Sequence, residues 1–291
     1  MSTFQDRGRS GVAHLGIPPS GPMDFFHASR ARQALESVVE ESVPELWLEN
    51  ALVGPSLRFE SPMHVAISGA DMNPQLNGQP VLHDVPIEVN SGDTLSMSGA
   101  RSGVFSYIAF SRPLAMTSML GSFATLTAAG LGGVEGRALA DGDELRFATD
   151  DSASSVSPIA VPASESELYP FEIPQAGDTI TLPVRRGPEF DVVDGVTRHL
   201  CVDSHALSSS SRIATLLGGM IHKTSLQLQE MKSSGVFPGV VQLNHQGQLM
   251  VLMRDGPTTG GYPRVAVMEE PATWRLAQCP PNSKITLELV D

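Results

Sequence analysis

The chain is short of cysteine, of aromatic residues and of positive charge, and it has no long apolar run. Two cysteines among 291 residues, Cys201 and Cys279, exclude a disulfide framework. No stretch approaches the roughly 18 apolar residues that a membrane-spanning helix needs. The opening MSTFQDRGRSG also lacks the apolar core of a secretory signal. The expectation is a reduced, cytoplasmic protein without membrane contact. Lys and Arg number 19 against 32 Asp and Glu, a net charge of −13. That balance repels a phosphate backbone and argues against nucleic acid as a partner. Arg30 and Arg32, the nearest approach to a basic patch, read as the solvated face of a helix.

Several catalytic motifs are missing as well. Without G-x-x-x-x-G-K-[ST], no lysine is positioned to reach the β- or γ-phosphate of a nucleotide. GLGGVEG (130–136) spaces its glycines wrongly for a dinucleotide fingerprint and reads as a tight loop needing positive φ values. A G-x-S-x-G elbow and an H-E-x-x-H zinc pair are both absent. Met231-Lys232 lacks the Ala-Met-Lys-Met context of biotin attachment, so Lys232 reads as a turn residue and no covalent biotin is expected on this chain.

What is present is a globular composition, 41% hydrophobic and 18% charged, in a chain long enough for two domains. Short β-favouring runs bounded by turn residues dominate: VAISGAD (65–71), TLSMSGA (94–100), FSYIAFS (105–111), ELRFA (144–148), TITLPV (179–184), RHLCVDS (198–204), LMVLM (249–253), YPRVAVM (262–268) and ITLEL (285–289). One helix is expected over 24–36, capped by Asp24, with Phe25, Ala28 and Leu35 as its buried stripe. The proline- and serine-punctuated stretch 149–178 reads as a connection holding the domain boundary. Residues 1–150 then form the first domain, 151–178 the connection and 179–291 the second domain. GIPPSG (16–21) is echoed by GVFPG (235–239), and NSGDTL (90–95) by NSKITL (282–287), a faint repeat that fits two related β-barrels in tandem.

Three stretches carry candidate chemistry. HLCVDSH (199–205) puts His199, Cys201, Asp203 and His205 at alternate positions, either a metal-binding strand face or simply a polar one. QDRGRSGVAHLGIPPSGPMD (5–24) gathers Asp6, Arg7, Arg9, His14, Ser20 and Asp24 on a glycine- and proline-stiffened path. Such a path can form a catalytic wall, because positioning supplies much of a rate. The plainer alternative makes Asp24 a helix cap and Asp6 the partner of an arginine. MRDGPTTGGYPR (253–264) lies between two strands and reads as a hairpin loop or an anion-binding turn.

The opening stretch resembles the signature start of the 5-oxoprolinase C-subunit family, also described as KipA-like or as allophanate hydrolase subunit 2. Its members begin V-Q-D-x-G-R-x-G and continue into G-V-P-x-S-G-x-M-D. Gln5, Asp6, Gly8, Arg9, Gly11, Gly16, Pro18, Ser20, Gly21, Met23 and Asp24 match that pattern. The similarity continues through 48–60, 67–81, 99–110, 120–139 and 235–266 and so spans nearly the whole chain. Pro257 stands where the family commonly has Gln, SRPLAM replaces a Gly-Gly-Ile turn, and a Ser-Asp-Arg-Met-Gly block is reduced to SSSSRIATLLGG, keeping Arg212.

The resemblance implies a mainly β fold with few helices, arranged as two tandem cyclophilin-like β-barrel domains. It implies one component of an ATP-dependent 5-oxoprolinase, with Mg2+ accompanying the ATP, active with a B-type (KipI-like) partner chain and an A-type chain. Two other roles follow from the same likeness: the carboxyltransferase component of a biotin-dependent urea carboxylase, and a KipA-type regulator that binds a KipI-like kinase inhibitor. On this reading Asp6, His14, Asp24 and Asp255 are candidate acids, bases or orienting carboxylates. Arg9, Ser20, Gly21, Arg101, Thr258, Thr259, Gly260, Gly261 and Tyr262 are candidate substrate or phosphate contacts, and no metal ligands are assigned.

Overall fold

The structure, a computed structural model, describes residues 1–40, 42–148, 171–190, 205–218 and 231–290. The chain divides into two compact units. Met1–Arg9 and Ser20–Glu172 form the first, Ser10–Pro19 and Ile173–Asp291 the second. The short segment 10–19 therefore groups with the second unit, although its neighbours on both sides belong to the first. Local sequence does not reveal such an excursion, because only long-range packing decides it.

In the first unit, β1 (Ser2–Gln5), β2 (Trp47–Ala51), β9 (Ser102–Phe110), β4 (Met63–Asp71) and β7 (Pro86–Val89) form a five-stranded sheet in the order β1-β2-β9-β4-β7. A four-stranded sheet runs β3-β8-β5-β6, from β3 (Ser56–Arg58), β5 (Gln75–Leu76), β6 (Gln79–Pro80) and β8 (Thr94–Ser96). Side chains alternate across a strand. One row of the larger sheet, Phe4, Leu48, Ile108 and Ile67, therefore points into the hydrophobic core. The adjacent row, Thr3, Glu49, Tyr107 and Ser68, lies on the opposite face. Helix α1 (Phe25–Glu36) packs against β4 and β9 on that polar face, where the Asp24 amide meets Tyr107.

Helix α1 begins where its cap requires. Asp24 is extended (φ −131°, ψ 95°) and accepts from the His27 amide at 3.1 Å. Its buried stripe is Phe26, His27, Ala28, Ala31 and Leu35. Phe25, expected in that stripe, is only half-buried and packs edge-on to Trp47 at 5.8 Å. Arg30 is exposed as expected, whereas Arg32 is half-buried and donates to the Val43 carbonyl. ELRFA does not form a strand. Its Phe147 makes an isolated bridge to Leu114. GLGGVEG is the tight loop expected, with positive φ at Gly130, Gly132, Gly133, Glu135 and Gly136.

In the second unit seven strands close into a barrel, in the order β10-β17-β14-β15-β12-β11-β18. They are β10 (Thr179–Arg186), β11 (His205–Ser210), β12 (Ala214–Leu217), β14 (Val240–Leu243), β15 (Leu249–Leu252), β17 (Arg264–Met268) and β18 (Lys284–Leu289). Closure comes from the parallel pairing of β10 with β18, which sets Ile180 beside Ile285 and Leu182 beside Leu287. A two-stranded ribbon, β13 (Ser234–Gly235) with β16 (Thr259–Gly260), stands apart from the barrel sheet. Helix α2 (Glu270–Ala277) carries Pro271 in its first turn and buries Trp274 and Leu276. The fold is mainly β, with two α-helices among the described residues. The strand expected over 198–204, with His199, Cys201 and Asp203, lies outside them.

Candidate active site

The first unit brings much of the opening motif together. Gln5, fully buried at the end of β1, ties three segments through one amide. Its Nε2 donates to Thr3 Oγ1 (3.1 Å) and to the Thr125 carbonyl (3.2 Å), and its Oε1 accepts from the Gly21 amide (3.1 Å). Gly21 has φ 89°, and a Cβ there would sit 3.1 Å from the Asp6 carbonyl and 3.2 Å from that of Arg7, so only glycine passes without strain.

Asp6 accepts from the Gly8 amide (2.8 Å), the Ser122 hydroxyl (2.5 Å) and the Phe123 amide (2.6 Å). A carboxylate has about four acceptor positions, so most of its capacity is already spent pinning the 6–9 turn to the 119–125 loop. Arg9, equally buried, donates from Nη2 to the Ala124 carbonyl and from Nε to that of Met119 (3.3 Å). Arg7 makes an ion pair with Glu45. Ser20 is the outlier. It is fully buried, its φ is +57°, and its Oγ has no hydrogen-bond partner.

Asp24 does more than cap α1. Its Oδ2 lies 2.6 Å from His27 Nδ1, and both side chains are buried. Held this way, the imidazole has its orientation set and its other nitrogen, Nε2, left for a different task. The ring is packed edge-on to Phe26 at 4.9 Å and Phe171 at 5.1 Å. Beneath the cap, the Met23 amide and the Tyr107 hydroxyl both donate to Glu49 Oε2, at 2.7 and 3.0 Å, and the Asp24 amide donates to the Tyr107 oxygen at 2.8 Å. Burial, followed by the charges of Glu49 and Asp24, holds the Tyr107 hydroxyl well above its ordinary range, so it stays a donor.

Sequence reasoning left His27, Glu49 and Tyr107 out. The legible signal was Asp-x-x-His at the cap-to-N3 spacing, which puts both side chains on the first turn.

The other nominated residues are placed differently. His14 is exposed in the one-turn 3-10 helix Ala13–Leu15 of the second unit. The Arg101 side chain is 63% exposed, with Nη1 4.0 Å from Asp71 Oδ2. Asp255 is held in a buried bidentate pair by Arg212, with Nε to Oδ2 at 2.7 Å and Nη2 to Oδ1 at 3.0 Å. Thr259 and Gly260 are the two residues of β16, paired with Gly235 and Ser234. The Thr258 carbonyl accepts from the Val236 amide, and Tyr262 stacks edge-on to His245 at 5.1 Å. No residue from 253 to 264 has a positive φ. The alternating backbone of an anion nest is therefore not formed there, and the stretch acts as a strand connection. Lys232 is exposed, as expected of a turn residue. Among the described residues, no three of His, Cys, Asp and Glu are grouped to hold a metal ion, and no helix is long and apolar enough to cross a membrane.

A mainly β chain with this architecture falls in the carboxyltransferase-domain class. Residues 15–289 match the family described as carboxyltransferase domain, subdomain A and B, and the chain belongs to that family. It is 32% identical over 282 residues to the 5-oxoprolinase C subunit of Escherichia coli (strain K12), covering 96% of this chain and 85% of that one. A urea amidolyase of Lachancea kluyveri is 28% identical over 301 residues, covering 98% of this chain but 16% of the relative. The crystal structure of the K. lactis urea amidolyase superposes with a TM-score of 0.84 at 25% identity, over 100% of this chain and 18% of that one. The chain thus spans less than a fifth of either amidolyase.

Proposed function

We propose that this chain is the C subunit of an ATP-dependent 5-oxoprolinase, which opens the lactam of 5-oxoproline to glutamate while ATP goes to ADP and phosphate. The observation that carries the reading is the 32% identity that runs across most of both this chain and the E. coli relative. The chemistry explains the need for ATP: an unstrained amide is a poor electrophile, and phosphorylating its oxygen creates a leaving group. Catalysis then depends on positioning and on stabilising charge on the transferring group.

Within this chain, the Asp24–His27 pair is the candidate proton carrier. Its geometry supports that role, because a carboxylate fixes one imidazole nitrogen and leaves the other to the substrate. Arg101 is exposed and suited to a carboxylate or phosphate, which its planar fork can bind bidentately. Mg2+ arriving with ATP would be held chiefly by phosphate oxygens and water, in keeping with the small number of protein ligands that Mg2+ usually takes. The partners in this reading are a B-type (KipI-like) chain and an A-type chain in the cytoplasm. The two units are read as cyclophilin-like barrels, a reading that the closed second barrel supports.

One observation favours a second reading. The family model is a carboxyltransferase domain, and the K. lactis urea amidolyase has a segment of the same fold. On that reading the chain moves a carboxyl group to urea from a biotin carried by a partner. Purifying the chain with its neighbouring subunits and measuring ATP hydrolysis with 5-oxoproline, with urea plus a biotinyl partner, and with neither separates the two. The expected outcome is ATP turnover and glutamate formation only with 5-oxoproline. Carboxylation of urea without 5-oxoproline turnover would overturn the first reading.

A further inference from the structure

The first unit also holds an open groove of about 640 Å3, lined by neither the opening motif nor the Asp24–His27 pair. Three stretches wall it: 114–119, the glycine-rich loop 130–136, and 144–146. Leu114, Met116, Met119, Val134 and Leu145 make its apolar sides. Glu135, Glu144 and Arg146, all exposed, stand at its rim. Methionine is unbranched and polarisable, so walls built with it adapt to an apolar side chain.

The groove is held in shape by backbone contacts. The Ala115 amide donates to the Arg146 carbonyl at 2.7 Å and Leu114 bridges to Phe147, which joins the first stretch to the third. Within the loop, the Gly136 amide donates to the Gly132 carbonyl at 2.8 Å. A Cβ at Gly132 would overlap the Ala124 carbonyl oxygen, and one at Gly136 the Gly130 carbonyl, so both positions require glycine. The opening motif braces the same wall from behind. Asp6 accepts from the Ser122 hydroxyl, and Arg9 Nε donates to the Met119 carbonyl.

Three features of this wall call for an occupant. The Gly132 amide donates to the Met119 sulfur at 3.4 Å. A thioether is a weak acceptor, and a carbonyl oxygen brought into the groove would replace it. Next, Met119 and Ser122 close a tight turn through amide–carbonyl bonds of 2.8 and 3.3 Å, with positive φ at both central residues, Leu120 (55°) and Gly121 (77°). Asn or Asp is the usual first residue of such a turn. Here a leucine holds the strained position with 48% of its surface exposed, beside an exposed Met119. Backbone strain combined with exposed apolar surface marks a contact face. Last, four carboxylates stand against two arginines across 135–146. Both arginines are engaged, Arg137 by Glu135 and Asp143, and Arg146 by Glu144, so the rim is net negative.

We propose that this groove docks an extended segment of another subunit, one that presents an apolar side chain next to a lysine or arginine. The apolar side chain enters between Met116, Met119 and Val134. A backbone carbonyl of the segment takes the Gly132 amide from Met119, Leu120 packs against the segment at the lip, and the basic residue meets Glu135 and Glu144. Burial of the apolar side chain supplies the affinity, while the charges steer and select the partner. The volume falls within the roughly 300–1,000 Å3 of small-molecule sites, but those enclose most of their ligand. An open groove with an exposed apolar lip suits a chain segment better. A second copy of this chain carries a net charge of −13 and is repelled by the rim, so the charge favours a different chain. The inference rests on the multi-subunit part of the proposed function and not on its chemistry.

The test uses the full chain and its separately purified neighbouring subunits, the B-type and A-type chains. Association is measured by titration calorimetry, and Met116 and Met119 are footprinted by peroxide oxidation and mass spectrometry. One of the two subunits should bind and protect both methionines. Leu120→Asp and the double variant Glu135→Lys/Glu144→Lys change exposed positions and should melt near wild type. Each should weaken that association about tenfold or more. Unchanged affinity in both variants overturns the proposal, as does a wild-type chain that binds neither subunit. If Leu120→Asp melts early, the footprint decides, and an unprotected Met119 in the saturated wild-type complex overturns the proposal. Protection in the chain alone at high concentration would make a second copy the occupant. Protection by 5-oxoproline, urea or ATP without a subunit would make the groove a small-molecule pocket. Either result overturns the proposal. A complex that protects Met119 yet turns over no 5-oxoproline refutes the proposed reaction and leaves the docking surface standing.

Discussion

Asp24 Oδ2 lies 2.6 Å from His27 Nδ1, one helical turn further on, in surroundings that leave neither side chain appreciably exposed. A single carboxylate thus caps a helix through one oxygen and orients an imidazole through the other. The two duties can be separated experimentally. Asn caps a helix about as well as Asp, whereas Ala loses about 1 kcal/mol. Asp24→Asn should therefore melt near wild type while turnover of the assembled complex falls about 100-fold. Native turnover in Asp24→Asn would leave Asp24 as a cap alone. Asp24→Ala should lose both turnover and the cap energy, read by thermal melting.

Ser20 combines full burial, φ +57° and a hydroxyl without a hydrogen-bond partner. Burying such a group costs about 1–3 kcal/mol. Ser20→Ala should accordingly be neutral or stabilising by denaturant titration, even as it lowers turnover if the hydroxyl meets substrate. A destabilised Ser20→Ala would mean the hydroxyl is paired in solution.

The Arg212–Asp255 pair calls for the opposite expectation. Both side chains are buried and the contact is bidentate. Removing one partner of such a pair typically costs about 3–5 kcal/mol, because a charge is left buried alone. Asp255→Ala and Arg212→Ala should each destabilise the second unit by that order in equilibrium denaturation. The double variant should cost clearly less than the sum of the two. Full additivity would show that the pair is not coupled.

Glu189 supplies a pH test. Hydrogen bonds from Arg264, backed by its charge, hold the Glu189 carboxyl below its ordinary range. With a folded pKa below the unfolded one, the folded state binds fewer protons, so the contribution to stability is present above the ordinary value. It is lost as pH falls through the depressed value. The stability gap between wild type and Glu189→Gln should be widest near neutrality and close on acidification. A gap independent of pH would refute the assignment.

How much of this was legible depends on the range of the interaction. Helix α1 and its Asp24 cap were readable because a cap is settled within four residues. Helix α2 was missed, although Pro271 is a first-turn signal, because eight residues offer little periodicity. Phe26 rather than Phe25 is the buried aromatic of α1, and it packs 5.5 Å from Phe171, a contact that no helix pattern could reveal. ELRFA has strand composition, yet beyond one bridge at Phe147 it gains no ladder. The loop 253–264 read as either a hairpin loop or an anion-binding turn, and the sequence did not show that β13 pairs with Thr259 and Gly260 or that Arg212 engages Asp255.

By itself the sequence determined the β-rich class, the family and the stiff opening segment, since composition, alternation and motif spacing are local properties. Which polar groups meet was decided only in three dimensions. Gln5 joins Gly21 to Thr125, and Asp6 closes on Ser122. These contacts span from 16 to 120 positions of chain. Separation of that length is bridged by sheet register and burial, and neither is written in any short stretch of residues.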